Sequence, residues 1–93
     1  MDKERIVAKF GDDYRASDMT YKLGIDARFA DHIASRFTGR VVLETCTGGG
    51  FTTIALARYA RHVFTAEIDA TRMDEAKYNI ALARVEEKVT FLC

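Results

Sequence analysis

The chain has 93 residues, 48% hydrophobic and 11% aromatic, with 14 basic and 14 acidic side chains. That composition excludes a disordered chain, and the balanced charge announces no surface for a polyanion. The two cysteines, Cys46 and Cys93, lie far apart without a CxxC or His-rich context, which argues against a disulfide framework or a metal site and for a reducing, cytoplasmic setting. No apolar run reaches the ~20 residues that span a bilayer, so no membrane partner is expected.

Residues 2–10 place Ile6, Val7 and Phe10 on a short helical face. The polar stretch 11–18 reads as a turn. Met19, Tyr21, Leu23 and Ile25 then alternate with other residues, and a period of two predicts an extended segment with one buried face. Asp26 is placed to cap a helix with inward Ala30, Ile33, Ala34 and Phe37, and Gly39 suits its end. Arg28, His32 and Arg36 fall on the opposite, solvated face.

From residue 39 the pattern changes. Val41-Val42-Leu43 reads as a buried strand, and Phe51 to Arg61 as a helix that is apolar nearly all round. Val63 to Ala66 is a second strand. Asp69 opens a second helix with Met73, Ala76, Ile80 and Ala83 facing inward. Val89 to Leu92 is a third strand. Alternation of this kind predicts a parallel sheet with right-handed crossovers and strands covered on both faces. The predicted fold is therefore α/β, a partial Rossmann-like doubly wound sheet of strand order 3-2-1. Residues 1–38 form an N-terminal helical and extended segment; residues 39–93 form a ligand-binding half-domain.

The loop Thr45-Cys46-Thr47-Gly48-Gly49-Gly50 follows the first strand, where such sheets bind ligands. Glycine permits a positive φ there and lets a ligand approach the main chain. A dinucleotide loop reads G-x-G-x-x-G. Gly48 and Gly50 fit, but Thr53 stands at the third glycine position. Glu44, just before the loop, would repel a pyrophosphate and would suit the cationic methionyl end of S-adenosylmethionine. Glu67 ends the second strand, where a carboxylate accepts ribose hydroxyls, and Ile68 beside it can pack on an adenine ring. The cofactor-binding set is then Glu44, Thr45, Cys46, Gly48, Gly49, Gly50, Glu67 and Ile68, with no metal ligand. Cys46 reads as a loop filler and not as a nucleophile, since no base stands beside it in sequence. Arg15, Tyr21 and Lys22 lie in a segment that would cover the pocket.

Glu44-x-x-x-Gly48-x-Gly50 resembles the first motif of class I S-adenosylmethionine-dependent methyltransferases, and Ala66-Glu67-Ile68-Asp69 resembles their second. Within that superfamily "LETCTGGGFTTIALAR", "EIDATRM" with "AKYNIALA", and the upstream "ADHIA" are most similar to the trimethylguanosine synthase-like (RNA cap guanine-N2) methyltransferases. The resemblance covers roughly residues 22–93. It implies S-adenosylmethionine as cofactor and, for the complete protein, methyl transfer to a nitrogen of an RNA base.

Glu44 and Glu67 depart from the commoner aspartates of the pattern and keep the charge. The larger departure is that the acidic residue after the third strand and the Asn/Asp-Pro-Pro-aromatic acceptor motif are missing; the chain has no proline. The expectation is a chain truncated before its acceptor half, able to bind S-adenosylmethionine or S-adenosylhomocysteine and inactive alone. With no fourth strand beside the first, a homo-oligomer meeting at that edge is expected. A non-catalytic binding or assembly module stays open as an alternative, as does a fragment of a nicotinamide-dependent oxidoreductase.

Overall fold

The computed structural model of the protein describes residues 2–92; Cys93 lies outside them. Three helices come first: α1 (Lys3–Phe10), α2 (Asp18–Leu23) and α3 (Ala27–Ser35). The alternating part follows as β1 (Val41–Thr45), α4 (Phe51–Tyr59), β2 (His62–Ala66), α5 (Ala70–Leu82), a 3-10 turn at Glu86–Lys88 and β3 (Val89–Leu92). All strand pairs are parallel, and β2 lies between β1 and β3. This is the open α/β sheet with strand order 3-2-1 that the alternating pattern predicts.

The register puts Val42, Val63 and Val89 side by side, and Glu44, Thr65 and Phe91 one step further along. These side chains share one face of the sheet, because alternate residues of a strand point the same way. The core sits on that face. Ala30, Ala34, Leu56, Ala57, Ala60 and Val63 pack at the β1 end, and Ile54, Ala76 and Ile80 pack with Phe91 at the β3 end. α4 carries most of this burial, which is why it is apolar nearly all round: Phe51 and Thr53 through Ala57 are all buried. The hydroxyl of Tyr59 donates to Asp31 at 2.6 Å and ties α4 to α3.

Three expectations need correction. The strands are not covered on both faces. Val41 is 59% and Leu43 67% exposed, because the two right-handed crossovers move one way along the sheet and place α4 and α5 on the same side. The segment from Met19 to Ile25 is not extended. Asp18–Leu23 is helical, with Ser17 capping Thr20 and Asp18 in the first turn; Thr20 is buried while Met19 and Leu23 are exposed. α3 ends at Ser35 and not at Gly39. Ala30 and Ala34 face inward as expected, but Ile33 and Phe37 stay partly exposed. Gly39, at φ +74°, makes the turn into β1 and donates to the Tyr59 carbonyl at 3.1 Å.

The N-terminal helices share a core with the sheet domain. Ile6, Phe10, Tyr14 and Ala16 pack against Phe51, Ile54, Ala76 and Ile80. The Phe10 and Phe51 rings stack at 3.6 Å, and Tyr14 meets Phe51 edge-on at 5.7 Å. Burying each of these large side chains contributes about 1.5–3 kcal/mol. The packing holds α1, the following turn and α2 beside the glycine loop.

Candidate functional site

The loop after β1 bends sharply enough to need three left-handed residues: Cys46 at φ +61°, Gly48 at +57° and Gly50 at +88°. Glycine adopts that conformation at little cost; Cys46 does not, and is exposed. Gly49 is required for space. A Cβ there would stand 2.5 Å from the Thr20 methyl and 2.7 Å from the Phe51 ring. Gly50 lets the start of α4 come close to α5, since its Cβ would meet Ala76 at 3.3 Å.

Beneath the loop lies a chain of polar side chains. Thr65 donates to Glu44 at 2.8 Å, Thr53 donates to the same carboxylate oxygen, and the Thr47 and Thr65 hydroxyls are 2.5 Å apart. Thr53 and Thr65 are fully buried. Burial raises the pKa of Glu44 above the ordinary glutamate value, and the two hydroxyl donors hold it back in part. Thr53, which stands where a dinucleotide loop has glycine, thus serves the carboxylate that precedes the loop.

Glu67 joins the two strand ends. One carboxylate oxygen accepts from the Gly48 N–H at 2.8 Å, the other from the Asp69 N–H at 3.1 Å. Asp69 caps α5 as expected, accepting from the Arg72 N–H at 2.9 Å.

A cavity of about 240 Å³ opens above the loop. Cys46, Thr47, Gly48 and Gly49 form one wall, continued by Phe51 and Thr52. Thr20, Leu23, Gly24 and Ile25 form the facing wall, and Glu67 and Arg72 stand at the rim. Of the cofactor-binding set read from sequence, Cys46, Gly48, Gly49 and Glu67 therefore meet at one cavity. Glu44 lies under the loop with its carboxylate engaged by threonines. Thr45 and Gly50 flank the loop without lining the cavity, and Ile68 projects fully into solvent.

The N-terminal segment does cover the cavity, but through other residues than expected. Tyr21 packs edge-on against Phe10, with the Lys9 ammonium 4.5 Å from its ring centre. The Arg15 guanidinium stacks on Tyr78 at 3.7 Å. Neither they nor Lys22 line the cavity. Sequence reading missed Arg72, although its place in the first turn after the cap Asp69 puts it beside Glu67. It also missed Thr20 and the run Leu23–Ile25, whose pattern carried no sign of a ligand.

The first turn of α4 faces the cavity through Phe51 and Thr52, and its cap Gly50 supplies no side-chain acceptor. Its N–H groups form the positive end of a helix open to a carboxylate. The Glu67 carboxylate has acceptor capacity beyond the two N–H groups it holds. An anionic group beside a polyol therefore fits the site. Among the described residues no group of three or more His, Cys, Asp or Glu is placed to hold a metal ion, and no helix is long and apolar enough to cross a membrane.

No family model matches the chain. Solved structures do. The cofactor-bound Rv0187 protein from MTB is 31% identical, with a TM-score of 0.61 over 84% of this chain and 34% of that one. An O-methyltransferase from Bacillus cereus in complex with SAH is 27% identical, with a TM-score of 0.61 over 85% of this chain and 34% of its own. aTrm5, solved with tRNALeu, shares the fold at a TM-score of 0.63 and 24% identity, over 71% of this chain and 20% of its own. The chain thus spans about a third or less of the length of these proteins. The solved structures it is similar to include class I S-adenosylmethionine-dependent methyltransferases, and the chain shares their open parallel, Rossmann-like sheet.

Proposed function

We propose that the chain binds S-adenosylmethionine and forms the donor-binding part of a methyltransferase. The observation that carries this reading is the cavity itself: the Gly48–Gly49 backbone and the uncapped start of α4 lie on one side, with Glu67 at the rim. The α4 N–H groups would take the methionyl carboxylate and Glu67 the ribose hydroxyls. The cavity is smaller than the ~300–1,000 Å³ usual for ligand sites, so the adenine would extend over the mouth, where Ile68 stands exposed. Residues 39–93 supply this frame and residues 1–38 its cover.

The bound donor would supply an electrophilic methyl group on a sulfonium. The chain's own work is orientation. Glu67 fixes the ribose end, the loop backbone fixes the methionyl end, and the wall from α2 limits water. Glu44 sets the shape of the loop from below through Thr53 and Thr65.

For the acceptor, the motifs resembling trimethylguanosine synthase-like enzymes favour a nitrogen of an RNA base, guanine N2 in type. The similarity to an O-methyltransferase at 27% identity favours a second reading, an oxygen on a smaller acceptor. We assign the chain, by its two widely separated cysteines, to a reducing, cytoplasmic setting. We also propose self-association of the 93-residue chain over the bare side of β1, where Val41 and Leu43 are exposed and the strand edge is unpaired.

Glu67→Ala tests the donor reading. Equilibrium titration with S-adenosylhomocysteine should show at least a tenfold loss of affinity, the size expected for losing hydrogen bonds to a charged acceptor. Unchanged affinity would remove Glu67 from the site and the reading with it.

A further inference from the structure

Two side chains outside the cavity decide how its two walls meet. Both lie on α5, one turn apart, so they project from the same side of that helix. Glu75 reaches the N-terminal segment: its two oxygens accept from the Ser17 N–H and the Thr20 hydroxyl, each at 2.6 Å. Asn79, one turn on, is completely buried. Its oxygen accepts from the Arg15 N–H at 2.7 Å, and its amide donates to the Arg15 carbonyl at 2.8 Å and to the Gly49 carbonyl at 2.9 Å. All three of these bonds are made to backbone, so Asn79 fixes the course of the chain on both sides of the cavity. Thr20 completes the contact, since its methyl fills the space a Cβ on Gly49 would need.

We propose that Glu75 and Asn79 are positioning residues for the donor pocket. They do not line the cavity themselves; they act through Thr20 and Gly49, holding the wall made of Thr20 and Leu23–Ile25 at a fixed distance from the glycine loop. This role rests on the donor-binding reading. The alternative is that they only support the fold. The packing around Phe10 and Phe51 holds α1 and the following turn in place without them, so the loss of Glu75 releases the wall and leaves the domain folded.

The test uses three chains: wild type, Glu75→Ala and Glu75→Gln. Titration with S-adenosylhomocysteine and amide hydrogen exchange are measured on each. The alanine variant loses both bonds; the glutamine can accept from the Ser17 N–H and donate to the Thr20 oxygen, and so restores them without the charge. The proposal expects about tenfold weaker binding for Glu75→Ala and affinity within about threefold of wild type for Glu75→Gln. In Glu75→Ala the amides of residues 17–24 should exchange faster, while those of α4 keep their protection. Wild-type affinity in Glu75→Ala, or protection lost equally throughout the chain, overturns the proposal. A wild-type chain with no affinity at all overturns the donor reading and this role together, and is told apart because the failure then lies in the unaltered protein.

Discussion

Glu44 is held as a half-buried hydrogen-bond acceptor, and its desolvation raises its pKa. A carboxylate whose pKa is higher in the folded than in the unfolded chain contributes stability that is fully present below the unfolded value. That stability is lost as pH rises through the folded pKa. Glu44→Gln keeps an oxygen for Thr53 and Thr65 and carries no charge. Its melting temperature should therefore exceed that of wild type at pH 8, and the gap should close as pH falls toward the ordinary glutamate value of 4.5. A gap that widens on acidification would contradict the assignment. Gly50→Ala meets both a left-handed backbone and the Ala76 main chain, and should cost about 1–2 kcal/mol from the backbone alone in chemical denaturation. At this scale the sequence was legible where a residue's role depends on its neighbours in the chain. That Cys46, Gly48, Gly49 and Glu67 come together at one cavity was legible because strand ends and glycine turns are local signals. Arg72 and the downward turn of Glu44 were not, because they depend on which side of a loop a side chain takes.

The element that sequence reading got wrong is α2. A helix of six residues is too short to show a 3.6-residue period, and Met19, Tyr21, Leu23 and Ile25 happen to alternate. The cap signal was present in Ser17-Asp18 but sat inside a polar run that reads equally as a turn. What fixes the helix is distant in sequence: Glu75 binds its first turn, and Gly24 ends it against the Phe10 ring. α4 and α5 were legible because one is apolar all round and the other has a cap and inward spacing. Gly24→Ala would place a Cβ 2.6 Å from Phe10, forcing that ring off Phe51. A loss of about 1–3 kcal/mol is expected in thermal or denaturant unfolding; an unchanged midpoint would show that the ring has room to move.

For the molecule as a whole, strand order and parallel pairing followed from the alternation of strands and helices. The bare side of the sheet did not, because Val41 and Leu43 are as apolar as the residues beside them that face the core. Purified at micromolar concentration, the 93-residue chain should sediment as a dimer or larger species. Leu43→Lys, a change on the exposed side, should shift it to monomer; a monomeric wild type, or an assembly indifferent to the lysine, would contradict self-association there. The central claim concerns the cavity and its ligand, and calorimetric titration of the chain with S-adenosylhomocysteine and, separately, with NAD tests it most directly. Saturable binding of S-adenosylhomocysteine with at least tenfold preference over NAD is the predicted result. Tighter binding of NAD, or heat for neither ligand, would contradict it.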